Sequence, residues 1–212
     1  RQTIVVPTVT VAYEADKIAV MRLSYFNEDT KEEFNKAVND MIRRSTQGIV
    51  FDLRGNPGGF LDGSIAVASE WIERGIIVRE RMTNQEETSY ETVGQHRLAG
   101  IPTVVLVDGG SASASEIVAG ALKDHGAATL IGQKTFGKGS VQNVQPLPDG
   151  AALKLTVAHW VTPNNQEIND TGIEPDIAVE IMFEEHTNAR EGTPERVVDH
   201  GLERALETLR KK

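Results

Sequence analysis

The sequence predicts an α/β fold with β extensions at both ends, and three observations carry that reading. Two near-continuous apolar runs, 48–53 (Gly-Ile-Val-Phe-Asp-Leu) and 102–107 (Pro-Thr-Val-Val-Leu-Val), read as strands buried on both faces. Each leads into a glycine-rich loop and then a helical pattern, so the succession of strand, tight loop and helix occurs twice. Alternation returns near both ends, at Ile4, Val6, Val9 and Val11 and again from Val141 through Trp160.

In chain order, Gln2 to Tyr13 reads as one or two strands and Lys17 to Leu23 as another. Thr30-x-x-Glu33 spells a capping box before Phe34, Ala37, Val38, Met41 and Ile42, which share one helical face ending at Arg43-Arg44. The run at 48–53 enters the loop 54–59 and a helix from Leu61 to Arg74 with Ile65, Ala68, Trp71 and Ile72 inward. Ile76 to Met82 is a strand, and the polar stretch Thr83 to Arg97 a solvated flap or hairpin. The second unit follows: strand 102–107, loop 109–113, helix 117–124, then a strand from Ala127 to Ile131. Residues 141–160 are strand-rich, with hairpin turns at Asp149-Gly150 and at 162–165. Ile177 to Ile181 is a last strand, 183–193 a polar linker, and Pro194 to Leu209 a helix with Val197, Val198, Leu202, Leu206 and Leu209 inward. The expected division is a core domain over residues 1–182, with linker and helix over 183–212 packing on the core or a partner.

Composition narrows the partners. A chain of 212 residues, 39% hydrophobic and 25% charged, is ordinary for a globular domain, and no apolar run nears the roughly 20 residues of a membrane span. A net charge of −9 argues against nucleic acid or an anionic membrane surface. With no cysteine, thiol catalysis, disulfides and zinc–thiolate sites are excluded, and the composition suits an extracytoplasmic protein. Residue 1 is Arg with no signal sequence before it, which suggests a processed or excised piece.

The stretch best suited to chemistry is 109–116, Gly-Gly-Ser-Ala-Ser-Ala-Ser-Glu. A strand, a small-residue turn and a helix start expose a hydroxyl beside free N–H groups. Read alone, Ser113-x-x-Glu116 is first of all a capping box, with Ser113 as N-cap and Glu116 at the third helical position. Three glycines within 55–59 let N–H groups converge on an oxyanion, or make a tight turn. Gly132-x-x-x-x-Gly137-Lys138 nearly spells a phosphate loop. However, Gly139 stands where Ser or Thr should hold magnesium, and a strand follows where a helix is needed. Lys138 has another role, or is a solvated surface lysine. None of His96, His125, His159, His186 and His200 has an informative neighbourhood for a base, with His159 the candidate for a Ser-His-Asp arrangement. A lysine serves instead where burial lowers its pKa from about 10.4 toward 7 or 8.

Four blocks in order, 51–59 (Phe-Asp-Leu-Arg-Gly-Asn-Pro-Gly-Gly), 110–117 (Gly-Ser-Ala-Ser-Ala-Ser-Glu-Ile), 135–142 (Thr-Phe-Gly-Lys-Gly-Ser-Val-Gln) and 172–176 (Gly-Ile-Glu-Pro-Asp), resemble the C-terminal processing peptidases, or tail-specific proteases. The resemblance covers about Gln2 to Ile177. It implies Ser113 as nucleophile, Lys138 as general base, Gln142 as the residue that helps hold the lysine, and Gly58, Gly59 and the N–H of Ala114 as oxyanion hole. It also implies the spiral α/β core shared with Clp-type proteases and crotonases, and no cofactor or metal. Asp108-Gly109 and His159-Trp160 depart from the family's usual residues without touching the Ser113–Lys138 pair. Apolar cover for Lys138 is expected, with Phe136 the nearest candidate, and the Gln142 amide can accept an N–H without adding charge.

The implied activity is a serine endopeptidase cleaving proteins near their C-termini, outside the cytoplasm of a bacterium: periplasmic, secreted or membrane-associated. Its partners would be polypeptide tails, with an upstream PDZ domain expected in the parent protein and a homo-oligomer compatible. A non-catalytic module binding peptides or apolar ligands on the same fold is the alternative, since fold does not dictate function.

Overall fold

The computed structural model describes residues 7–147, 150–180, 183–184 and 198–211. In chain order the elements are β1 (Val9–Tyr13), β2 (Ile18–Leu23), α1 (Thr30–Arg43), β3 (Gly48–Asp52), α2 (Leu61–Ala68), β4 (Ile76–Met82), β5 (Glu87–Glu91), β6 (Thr103–Val107), α3 (Ala114–Asp124), β7 (Thr129–Gly132), β8 (Ser140–Pro146), β9 (Ala152–Val161), β10 (Ile177–Ala178), β11 (Phe183–Glu184), β12 (Val198–Asp199) and α4 (His200–Arg210). The main sheet runs β1-β2-β3-β6-β7-β10, antiparallel only between β1 and β2. A second, antiparallel sheet runs β5-β4-β9-β8.

The unbroken apolar runs follow from helices on both faces of the main sheet. Ile49, Phe51, Val105, Val107 and Leu130 pack with residues of α1, α2 and α3, while Val50, Val104, Leu106 and Ile131 pack against Ala205 and Leu209 of α4. Under α1, Phe51 stacks on Trp71 at 5.3 Å between ring centres, with Phe34 close to both. Among the described residues no helix is long and apolar enough to cross a membrane.

Several local expectations are corrected. The box at Thr30 does not form: Asp29 is the N-cap, and the Glu33 carboxylate instead accepts from the Thr8 N–H and hydroxyl and the Val9 N–H, tying α1 to β1. Ile42 is exposed. Helix α2 stops at Ala68, where the Ser69 hydroxyl bonds back to the Ile65 carbonyl at 2.6 Å. Trp71 and Ile72 are still buried in the turns that follow. The polar stretch takes the hairpin alternative, with β5 paired antiparallel to β4 as expected. Inside the expected linker and helix, β11 pairs with β12, and α4 begins only at His200 behind an Asp199 cap. Asp149, Ile181 and residues 194–197 lie outside the described residues. The alternation from Val141 to Trp160 forms strands as expected, β8 and β9, with Val144, Leu153 and Leu155 about half exposed on that hairpin.

Candidate active site

Strands β3, β6 and β7 end side by side, and their carboxyl ends give the loops 53–60, 108–113 and 133–139. In an open parallel sheet this is where ligands bind. The first two loops are laced together. Asp108 Oδ1 accepts from the Gly55 N–H at 2.8 Å and from the Gly110 N–H at 2.9 Å. Asn56, fully buried, donates to the Leu23 carbonyl, while its own carbonyl accepts from the Ala112 N–H and the Ser115 hydroxyl. Gly58 has φ +99°, and a Cβ there would sit 2.6 Å from the Ala112 carbonyl oxygen and 2.8 Å from Ser113 Cβ. Only glycine lets this loop touch the Ser113 turn.

Ser113 is half-buried, with φ 54° and ψ −115°. That backbone conformation costs on the order of 1–3 kcal/mol in a residue with a side chain, and such strain gathers at functional sites. The capping box forms on its carboxylate side, where Glu116 Oε2 accepts from the Ser113 N–H at 2.8 Å. The reverse arm is weaker: the Glu116 N–H bonds the Ser113 carbonyl oxygen at 2.9 Å, and the hydroxyl holds no cap bond of its own.

Glu116 does more than cap. It is fully buried, and its two oxygens also accept from the Thr135 hydroxyl, the Gly137 N–H at 2.6 Å and the Lys138 N–H at 2.8 Å. One carboxylate therefore joins the Ser113 turn to the Lys138 loop. The glycines around Lys138 serve packing rather than looseness: a Cβ on Gly139 would lie 2.2 Å from the Asn169 nitrogen, and one on Gly137 3.1 Å from the Gly172 nitrogen. The fourth block thus lies beneath the lysine loop, with the Ile173 N–H bonded to Thr135 Oγ1 at 2.7 Å.

The structure brings Ser113, Ala114, Gly58 and the Lys138 backbone together. Among the described residues the N–H groups of Gly59 and Ala114 have no hydrogen-bond partner, whereas the Gly58 N–H is held by Asn56 Oδ1 at 2.9 Å. That leaves two of the three expected oxyanion donors free. Gln142 lies exposed on β8 and makes no hydrogen bond to Lys138. Lys138 is itself exposed, and Phe136, 66% exposed, does not bury it. His159 bonds Glu167, His125 the Ile76 carbonyl and His96 the Ser69 carbonyl, and none of the three bonds Ser113. His186 lies outside the described residues.

Sequence reasoning missed Glu116 as a bridge because its capping pattern already accounted for it. Arg54 was also missed. Its guanidinium, 11% exposed, meets Asp52 and, from 145 residues away, Asp199. No sequence pattern marks that pairing.

Strands that end in a serine turn, a glycine loop and a lysine loop define an α/β core of the peptidase kind. Residues 17–179 match the model of peptidase family S41, and the chain belongs to that family. It is 44% identical over 164 residues to a carboxyl-terminal-processing protease of Picosynechococcus sp., covering 77% of this chain and 39% of the relative. Against the carboxy-terminal processing protease CtpB of Bacillus subtilis it is 39% identical over 169 residues, 78% of this chain and 35% of the relative. A solved structure of a photosystem II D1 C-terminal processing protease superposes with a TM-score of 0.77 at 33% identity, over 85% of this chain and 50% of that one. The chain thus spans about two-fifths of the length of the curated relatives it matches.

Proposed function

We propose that this chain is the core of a serine endopeptidase that cleaves polypeptides near their C-termini, with Ser113 as nucleophile and Lys138 as general base. The observation that carries the reading is the shared carboxylate: Glu116 holds the backbone of both residues, beside two unpartnered N–H groups. Ser113 Oγ attacks the scissile carbonyl carbon while its proton passes to Lys138 Nζ. The carbonyl oxygen becomes an oxyanion received by the N–H groups of Gly59 and Ala114. Lys138 then gives the proton to the leaving amine, the C–N bond breaks, and water hydrolyses the acyl-enzyme by the same relay. Lys138 is exposed, so the dry surroundings a lysine base needs come from bound substrate; Gln142, on the strand after the lysine loop, orients the amine once that substrate is seated.

We further propose that tail selection belongs to a PDZ domain upstream in a longer parent, on the outer side of a bacterial membrane; the matched relatives are more than twice as long as their matched part, which leaves room for such a domain. The test is cleavage of a peptide read by mass spectrometry, with trapping of an acyl-enzyme on Ser113. If the full chain binds peptides yet neither cleaves nor acylates, the non-catalytic binding module is the correct reading. A sharper preference of the full-length protein for a free over an amidated C-terminus would support the upstream domain.

A further inference from the structure

The C-terminal helix reaches the active-site loop through one ion cluster. Arg54 donates Nη1 and Nη2 to the two carboxylate oxygens of Asp199, each at 2.8 Å, and donates Nε and Nη2 to Asp52 at 2.9 and 2.8 Å. Arg22 bonds both Asp52 and the Arg54 carbonyl oxygen, each at 3.2 Å. Two arginines and two aspartates make the cluster neutral. Asp199 is also the N-cap of α4, accepting from the Leu202 N–H at 3.0 Å. The second residue of α4 is Gly201, where a Cβ would come 3.1 Å from Arg54 Nη1, so the helix start lies directly on the guanidinium.

Asp52 is enough to pair Arg54 locally. The second carboxylate comes from the far end of the chain and locks the residue that opens the loop carrying Gly58 and Gly59. We infer that Asp199 is a positioning residue for catalysis: through Arg54 it fixes the 54–59 loop, and so the Gly59 N–H, making the seating of α4 and the assembly of the oxyanion hole one event. This rests on the peptidase reading above. Burial works to raise the Asp199 carboxyl, but the Arg54 and Leu202 hydrogen bonds outweigh it and hold the group below the usual range. At neutral pH the clamp is charged.

The test compares Asp199→Asn and Asp199→Glu with the parent in the full chain. Asparagine keeps an N-cap acceptor and removes the charge; glutamate keeps the charge. The readouts are kcat and KM on a peptide, affinity for a peptide boronate, which uses the oxyanion hole, and affinity for the amine-side product, the fragment with the new N-terminus, which does not. With α4 still folded by circular dichroism, Asp199→Asn should lower kcat tenfold or more, with KM within about twofold. Boronate affinity should fall in step, product affinity should hold, and Asp199→Glu should recover part of the loss. Parent kcat and boronate affinity in a folded Asp199→Asn protein overturn the inference. So does a parallel loss of every parameter in proportion to the folded fraction, which marks a purely structural role. Failure of the underlying reading looks different: the parent itself would not cleave, or Ser113→Ala would cleave as well, and the inference would fall with it.

Discussion

The backbone N–H groups of Ser113 and Lys138 donate to the same atom, Oε2 of Glu116, each at 2.8 Å. The two residues are 25 positions apart and sit on the loops after neighbouring parallel strands, β6 and β7. Their spacing is therefore set by a buried carboxylate and not by contact between their own side chains.

The first prediction concerns that carboxylate. The Glu116 carboxylate accepts four hydrogen bonds and donates none. In Glu116→Gln the amide nitrogen faces donors instead of accepting from them. Each donor left without an acceptor costs about 1–3 kcal/mol. The variant should lose that much stability in urea titration and lose kcat more than KM, because the two loops drift apart. Parent kcat in a destabilised Glu116→Gln protein would show that the bridge serves the fold alone.

Ser113→Ala and Lys138→Arg separate chemistry from structure. The Ser113 hydroxyl holds no cap bond and Lys138 is exposed, so neither change removes much from the fold. Both should stay folded, with Tm within about 3 °C of the parent, a shift of roughly 1 kcal/mol. Both should abolish peptide cleavage, the second because a guanidinium stays protonated. Cleavage by either purified variant contradicts the assigned role of that residue.

These residues also measure how far the sequence could be read. Ser113 and its turn were legible because strand, small residues and helix start are local patterns. The runs at 48–53 and 102–107 were legible because burial on both faces leaves an unbroken apolar signature. Glu116, Arg54 and Asp199 were not, because their roles lie in pairings 19 to 145 residues apart that leave no periodic trace. The Thr30 box misled for a related reason: Glu33 had a tertiary partner in Thr8, and three hydrogen bonds from Thr8 and Val9 outweigh one local cap. Leu153 and Leu155 were legible as strand residues, because alternation reports the pleat; it does not report what covers the pleat, and both are about half exposed.

Gly58→Ala tests the contact between loops. The new Cβ would meet backbone at 2.6 Å, and φ +99° is strained for any side chain. Backbone on one side must move, carrying the neighbouring Gly59 N–H or the Ser113 turn with it. The expected result is about 1–3 kcal/mol less stability and a kcat loss on the order of a hundredfold, as when one oxyanion donor is removed. Unchanged kcat would mean that the 54–59 loop takes no part in the reaction.

A prediction far from the site follows from Tyr13. Its phenol is pushed up to about 12, by burial first and then by its hydrogen bond to Asp40 at 2.6 Å. A folded pKa above the unfolded value of about 10 favours the protonated, folded form. That contribution is whole below pH 10 and is lost as pH rises from 10 toward 12. Urea midpoints of the parent should therefore fall more steeply over that window than those of Tyr13→Phe. Parallel curves would mean that the hydroxyl is not held by Asp40 in solution.

The last prediction concerns the exposed apolar surface beside Lys138. Phe136 stands two residues before the lysine with 66% of its surface open, and its backbone N–H is fixed to the Ser111 carbonyl oxygen at 3.0 Å. An aromatic ring held on a fixed backbone yet left in water has little to contribute to folding. Burial against a bound chain would recover roughly 1.5–3 kcal/mol and would at the same time cover the lysine amine. Phe136→Ala should thus leave Tm nearly unchanged and lower kcat/KM by tenfold or more on peptides that span the scissile bond. Part of the loss should fall on kcat, because an amine left in water makes a poorer base. Leucine should restore more than alanine, since the requirement is for apolar cover and not for aromatic chemistry. A Phe136→Ala enzyme with parent kcat/KM would show that substrate passes the lysine by another face.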